Sequence, residues 1–73
     1  MAYQSIPFRP STNIAALQWD AETKELLVTW VRQGRQGIVR GIDADTVAQL
    51  SRAPSAGQFW NTFIRGVFPY EEI

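Results

Sequence analysis

Residues 53–70 have the sequence APSAGQFWNTFIRGVFPY, in which a helix start, an apolar stripe and a helix end follow one another. Ser55 and Gln58 form a capping box, because the Ser hydroxyl and the Gln amide satisfy backbone groups at a helix start. The large apolar side chains that follow recur at spacings of one, three and four, which places them on one helical face. They are Phe59, Trp60, Phe63, Ile64 and Val67. With Gly66 as the end signal, the stretch predicts a helix from about Ala56 to Arg65 whose rings close over the core.

Upstream of this helix, three short segments rich in β-forming residues precede another helix. Residues 26–31 alternate between two faces with a period of two, and residues 14–19 and 38–42 have a similar apolar composition. Gly34 and Gly37 offer positive backbone dihedrals for a reversal between the last two segments. Asp43 is a suitable N-cap for a helix from about Ala44 to Arg52. The pattern predicts an α+β fold, a small three-stranded antiparallel β-meander packed by two short C-terminal helices.

The length and composition of the chain indicate one small domain. Its 73 residues provide interior for a single core, and there is no Cys or His to crosslink it or to bind a transition metal. Aromatic rings supply large buried areas instead, and we expect Trp19, Trp30 and Trp60 to anchor the core. Residues 1–12 contain two prolines and are expected to form an extended N-terminal arm, followed by a single domain over residues 13–73. Three strands and two helices leave one face or edge of the sheet exposed.

Catalysis has little support in the sequence. Without His or Cys there is no triad base and no thiol nucleophile. Asp43 and Asp45 are spaced as an acid–base pair, but helix capping accounts for both carboxylates. The sequence therefore predicts a non-enzymatic protein with no cofactor and no metal site.

Charged residues are balanced in number, with seven basic and seven acidic side chains, but they are unevenly placed. No acid lies between Glu25 and Asp43, and three arginines do. They are Arg32, Arg35 and Arg40. These arginines make a local positive patch suited to phosphates or to an acidic protein surface, and the alternative is ordinary solvated charge.

Two other groups of residues are candidate contacts. Three apolar side chains of the N-terminal arm are costly to leave in water. They are Tyr3, Ile6 and Phe8, with Arg9 beside them. A binding arm and a frayed terminus both remain open. Asn61 and Arg65 lie four residues apart on one side of the second helix, where they either contact a partner or fasten the helix to the sheet or tail.

A cytoplasmic protein is the expectation from the hydropathy pattern. No stretch approaches the roughly 20 apolar residues of a membrane helix. The first residues also lack a basic start followed by an apolar run.

Most of the chain resembles the KTSC domain, a family named for its occurrence at the C-terminus of some lysyl-tRNA synthetases. The likeness covers about Asn13 to Tyr70 and is densest after Ala53. It includes Trp19-Asp20, Trp30, Ala53-Pro54-Ser55, Gly57, Trp60-Asn61, Ile64-Arg65-Gly66 and Phe68-Pro69-Tyr70. The resemblance implies a small β-sheet with C-terminal helices and no particular activity. At two third-strand positions where the family commonly has tyrosine, this chain has Gly37 and Val39.

In size and composition the chain also resembles a small phage protein that binds host RNA polymerase, blocks initiation at host promoters and promotes antitermination. Together with the missing catalytic residues and the apolar arm, the likeness leads us to expect a protein-binding module with bacterial RNA polymerase as its partner and nascent RNA nearby. We also expect the chain to be monomeric when free and to make no membrane contact. The residues expected to contact the partner are Tyr3, Ile6, Phe8, Arg9, Arg32, Arg35 and Arg40. The synthetase connection suggests an alternative, an RNA-binding accessory domain, and a self-assembling phage structural component is a third.

Overall fold

A five-stranded antiparallel sheet forms the frame of the protein, and its strands lie in chain order. The computed structural model describes residues 3–73; Met1 and Ala2, which begin the predicted arm, lie outside the described residues. The strands are β1 (Gln4–Ser5), β2 (Ile14–Asp20), β3 (Glu25–Trp30), β4 (Gln36–Arg40) and β5 (Tyr70–Glu72). Between β4 and β5 the chain forms α1 (Ala44–Arg52) and α2 (Ala56–Phe59), and α2 continues as a π-helical turn, Trp60–Ile64. No helix in this part of the chain is long and apolar enough to cross a membrane.

The α+β class and the two C-terminal helices are confirmed, but the expectation of three strands is wrong. The added strands are the two edges of the sheet: β1 pairs with the end of β2, and β5 pairs with β4. Both are short and exposed along their length, so neither has the apolar alternation that reveals a half-buried strand. Pairing with an existing neighbour strand, rather than local sequence, makes them strands.

Capping explains where the helices begin. The Asp43 carboxylate accepts a hydrogen bond from the Thr46 N–H at 3.2 Å, and the Ser55 hydroxyl accepts one from the Gln58 N–H at 3.3 Å. Residue 66 is a glycine with a φ of 77°, in the left-handed region, two residues after the π-helical turn ends at Ile64. Both helices therefore start where the sequence predicts, because caps depend on residues that are close in the chain.

The core lies between the helices and one face of the sheet. It contains Ile14, Leu17, Leu26, Val28, Val39, Ile42, Val47, Leu50, Ala56, Trp60 and Ile64. Trp19 and Trp30 are half-buried and pack against it. On the opposite sheet face, Leu27 and Ile38 pair across β3 and β4 and remain partly exposed. The helices thus cover one face of the sheet and leave the other open.

The apolar stripe of the second helix is only partly buried. Trp60 and Ile64 are 6% and 1% exposed, whereas Phe63 is 55% exposed and packs on Phe59 with ring centroids 4.8 Å apart. The expectation that Phe63 closes over the sheet is wrong. In the π-helical turn the Arg65 N–H donates to the Trp60 carbonyl, five residues back, so the turn is wider than an α-helical one and Phe63 faces outward.

Asp20 is a buried carboxylate in the reversal between β2 and β3. Its side chain accepts hydrogen bonds from the N–H groups of Glu22 at 2.9 Å and Thr23 at 3.4 Å. Burial disfavours the charged form, but these backbone hydrogen bonds outweigh it and lower the pKa of Asp20 below its ordinary value. The folded state therefore favours an ionised carboxylate at this turn.

The neighbouring residues Ile64 and Phe63 give a direct test of the packing. Ile64→Ala is expected to lower the free energy of unfolding by about 2–5 kcal/mol, because it empties a closed part of the core. Phe63→Ala removes only a surface ring pair and is expected to cost about 1 kcal/mol. Urea denaturation of both variants measures the difference. Equal losses would show that Phe63 is part of the core.

A second test concerns acid stability. Because folding lowers the pKa of Asp20, the folded state binds fewer protons than the unfolded chain, and the stabilisation is present above about pH 4 and lost as pH falls through the folded pKa. Asp20→Asn lacks this stabilisation at every pH. The stability difference between wild type and Asp20→Asn should therefore be largest near about pH 7 and shrink toward about pH 3. Urea titrations at both pH values measure it, and a constant difference would contradict this assignment.

Candidate binding cleft

A cleft of about 260 Å³ opens between the end of β3, the π-helical turn and β5. It is lined by Trp30, Trp60, Asn61, Ile64, Arg65, Gly66 and Tyr70, and we call it the aromatic cleft. Each wall comes from a different part of the chain, so the cleft exists only when the helices are seated on the sheet and β5 is paired.

The three rings of the cleft meet at right angles. The Trp30 and Trp60 centroids are 5.1 Å apart with ring planes at 83°, and the Trp60 and Tyr70 centroids are 6.3 Å apart at 90°. The indole Nε1–H of Trp30 donates to the Tyr70 hydroxyl at 2.9 Å. Edge-to-face contacts and this hydrogen bond hold the rings as a recess with carbon-rich walls.

Gly37 makes room for the Tyr70 ring. The sequence suggests that Gly37 belongs to the turn, but it lies inside β4, and the positive φ values occur at Gln33 and Gly34. A Cβ atom at Gly37 would collide with the Tyr70 hydroxyl and ring carbons. The absence of a side chain at this position therefore lets the phenol of Tyr70 lie over β4.

The rim of the aromatic cleft carries polar groups without internal partners. Neither Asn61 nor Arg65 makes a side-chain hydrogen bond or ion pair within residues 3–73. These two side chains therefore do not fasten the helix to the sheet or tail, which was the second of the two interpretations from the sequence. A second depression shares Trp30 with the aromatic cleft and is lined by Thr12, Asn13, Trp30, Val31 and Arg32. Arg32 is also exposed and unpaired within the part of the chain described.

The other two members of the predicted arginine cluster are engaged by acids. Arg35 forms an ion pair with Glu72 at 2.7 Å, and Arg40 pairs with Glu71 at 2.8 Å and with Glu25 at 3.5 Å. Glu71 and Glu72, which form the acidic tail of the chain, thus lie beside β4 and offset the charge of these two arginines. All of these groups remain partly exposed to solvent, so each pair contributes little to stability.

The N-terminal arm lies against the domain. The Ile6 N–H donates to the Leu17 carbonyl at 2.9 Å, the Ser51 hydroxyl donates to the Pro7 carbonyl at 2.6 Å, and the Ile6 and Phe8 side chains pack against the core. Arg9 is exposed and has no partner among residues 3–73. The apolar arm residues therefore have an intramolecular role in this structure.

Tyr3 is held at the open sheet face. Its hydroxyl donates to a Glu25 carboxylate oxygen at 3.1 Å. Burial, then this hydrogen bond and the charge of Glu25, raise the pKa of the Tyr3 phenol above its ordinary value. Because Arg40 pairs with the same carboxylate, one network joins the arm to β3 and β4.

Sequence reasoning missed the aromatic cleft as a site. Trp30 and Tyr70 are 40 residues apart in the chain, and no local pattern predicts their hydrogen bond. One feature of the sequence could have indicated the aromatic cleft. All seven of its lining residues are among those that carry the family resemblance. Residues 3–73 contain no group of three or more acidic side chains arranged to hold a metal ion.

Comparisons with known proteins found a family and a solved structure to which this chain is similar. A family model described as the KTSC domain matches residues 10–68. The crystal structure of a KTSC domain protein from Yersinia pestis is similar over 99% of this chain and 99% of that chain, with a TM-score of 0.87 and 25% sequence identity. The comparison with curated proteins found no match.

Gly37→Ala tests how the aromatic cleft is built. The added methyl group is expected to push the Tyr70 ring off β4 and break its hydrogen bond with Trp30, at a cost of about 1 kcal/mol or less, because alanine also suits a strand better than glycine. The measurement is the Trp30 indole Nε1–H chemical shift. Gly57→Ala is the matched control, since its methyl group would meet only Asn13 and Ser11 side chains at 3.4 and 3.6 Å. An unchanged Trp30 signal in Gly37→Ala would contradict this geometry.

Proposed function

The chain belongs to the KTSC domain family, and we propose that it acts without catalysis by binding a larger protein through the aromatic cleft. The observation that carries the proposal is an apolar recess on the surface of so small a domain. Tyr70 is 46% exposed, and the guanidinium of Arg65 beside it has no partner among residues 3–73. Aromatic side chains and arginine are the groups that dominate binding energy at protein interfaces.

The partner we propose is bacterial RNA polymerase, with inhibition of initiation and antitermination as the outcome. This choice is supported by the likeness in size and composition to the phage protein described above. A domain of this size covers only a small part of the polymerase surface. We therefore expect it to act by blocking that part sterically and by changing its electrostatic potential.

The arginines that the sequence predicts as partner contacts differ in whether they are already ion-paired within the chain. Arg32 lines the depression that shares Trp30 with the aromatic cleft and is unpaired in the described chain, so we assign it to the partner contact. Arg35 and Arg40 would first have to leave their acidic partners. The proposal therefore places the contact at the cleft and Arg32, and gives the arm a supporting role.

RNA binding is a second candidate, and one observation favours it. Arg32 and Arg65 line two depressions that share the half-buried Trp30, and unpaired arginines beside an accessible ring are typical of single-strand binding sites. An RNA site of this kind would lose affinity steeply as salt concentration rises.

A pull-down tests the polymerase proposal. With the full chain as bait in a bacterial lysate, RNA polymerase subunits should be enriched, and purified polymerase should bind the same bait directly. Arg32→Glu is expected to reduce capture several-fold, because it places a negative charge at the proposed contact. Arg52→Glu makes the same charge change at the end of α1, outside both depressions, and should capture as much polymerase as wild type.

Absence of polymerase from the wild-type bait would overturn this choice of partner. Equal loss in the two variants would show that net charge, rather than the proposed contact, governs capture. Binding of labelled single-stranded RNA that weakens steeply with salt, without polymerase capture, would favour the RNA candidate.

A further inference from the structure

The geometry points to an acidic peptide segment with one large apolar side chain as the occupant of the aromatic cleft. This inference rests on the proposed protein-binding function and defines the chemistry that the partner must present. The apolar side chain would fill the recess, and the flanking carboxylates would face Arg65 at its rim and Arg32 in the neighbouring depression.

The size of the recess favours a single side chain. Pockets that enclose drug-sized ligands measure roughly 300–1,000 Å³. The aromatic cleft, at about 260 Å³, is smaller than these. Such a volume is suited to one aromatic or branched side chain, with the rest of the bound segment lying across the rim.

The orientation of the walls favours an apolar side chain over a stack of nucleic-acid bases. Successive bases stack on ring faces that follow one another along a strand. In the aromatic cleft the ring planes instead stand at 83° and 90° to their neighbours, which encloses a recess. The Trp30 indole N–H is already satisfied by Tyr70, so that wall offers mainly carbon to an occupant.

The charge around the recess requires an anionic partner. No acidic residue lines the aromatic cleft or the depression that shares Trp30 with it, and each is lined by an arginine without an ion pair in residues 3–73. The nearby acids of β5 are occupied, since Glu71 pairs with Arg40 and Glu72 with Arg35. An acidic segment thus finds uncompensated positive charge there, and a basic segment finds none of the opposite sign.

The C-terminal segment of a second copy also combines acids with an apolar residue, Ile73. In this structure that segment is held in the sheet, because the Ile73 N–H donates to the Gln36 carbonyl at 2.9 Å and both acids form ion pairs. A different protein therefore meets the requirement more readily than a second copy does.

The experiment uses the full chain labelled with nitrogen-15, three short synthetic peptides and an oligouridine as the nucleic-acid probe. One peptide has a single phenylalanine flanked by aspartates and glutamates, the second replaces the phenylalanine with alanine, and the third replaces the acids with lysines. The acidic phenylalanine peptide should shift the Trp30 and Trp60 indole signals saturably. The alanine peptide should bind at least about tenfold more weakly, and the lysine peptide should cause no shift.

Variants of the chain locate the charge contact. Arg65→Glu should weaken the acidic peptide about fivefold or more, and the neutral Arg65→Gln should have a smaller effect of the same sign. Arg52→Glu matches the charge change outside the aromatic cleft and should leave the affinity as it is. A well-dispersed amide spectrum for each variant establishes that it is folded before affinities are compared.

Three results would overturn the inference. The first is saturable indole shifts with the lysine peptide or with the oligouridine but not with the acidic peptide. The second is equal weakening of the acidic peptide by Arg65→Glu and Arg52→Glu, and the third is self-association of the chain that alone accounts for the indole shifts. Its failure is separable from that of the proposed function. Polymerase capture without peptide binding would remove only this occupant, and peptide binding without polymerase capture would remove only that partner.

Discussion

The ring of Trp60 belongs to both the hydrophobic core and the aromatic cleft, and the rest of the structure depends on this shared position. The side chain is 6% exposed, and its ring meets Trp30 and Tyr70 edge to face. A chain of 73 residues without cysteine must obtain most of its stability from a few large buried side chains. One ring therefore fixes the π-helical turn on the sheet and also provides the inner wall of the proposed binding site.

This arrangement explains why the aromatic cleft is formed before any partner is present. Its walls are held by core packing, by the Trp30–Tyr70 hydrogen bond and by the pairing of β5 with β4. A partner would consequently have few side chains to order on the chain's aromatic walls, which reduces the entropic cost of association. The rim is different, because the guanidinium of Arg65 is unrestrained by any ion pair in residues 3–73 and can orient toward a carboxylate.

Local sequence was sufficient for the features that local contacts determine. Helix α1 has the predicted limits, and α2 begins after Ser55, because each cap lies three residues from its partner. The two edge strands, the ion pairs of the acidic tail and the hydrogen bond between Trp30 and Tyr70 arise between distant parts of the chain. The outward position of Phe63 follows from a π-helical turn that the apolar spacing did not reveal. The aromatic cleft was missed because its seven lining residues come from distant parts of the sequence and meet only in the folded chain.

Hydrogen–deuterium exchange of the free chain and of the chain bound to purified RNA polymerase is the sharpest test of partner binding at the aromatic cleft, because it locates the contact whatever the size of the partner. Binding is expected to slow exchange in the segments that form the aromatic cleft, around Trp30 and over residues 60–70. Protection confined to the arm at residues 3–9, or to the open sheet face around Leu27 and Ile38, would contradict it.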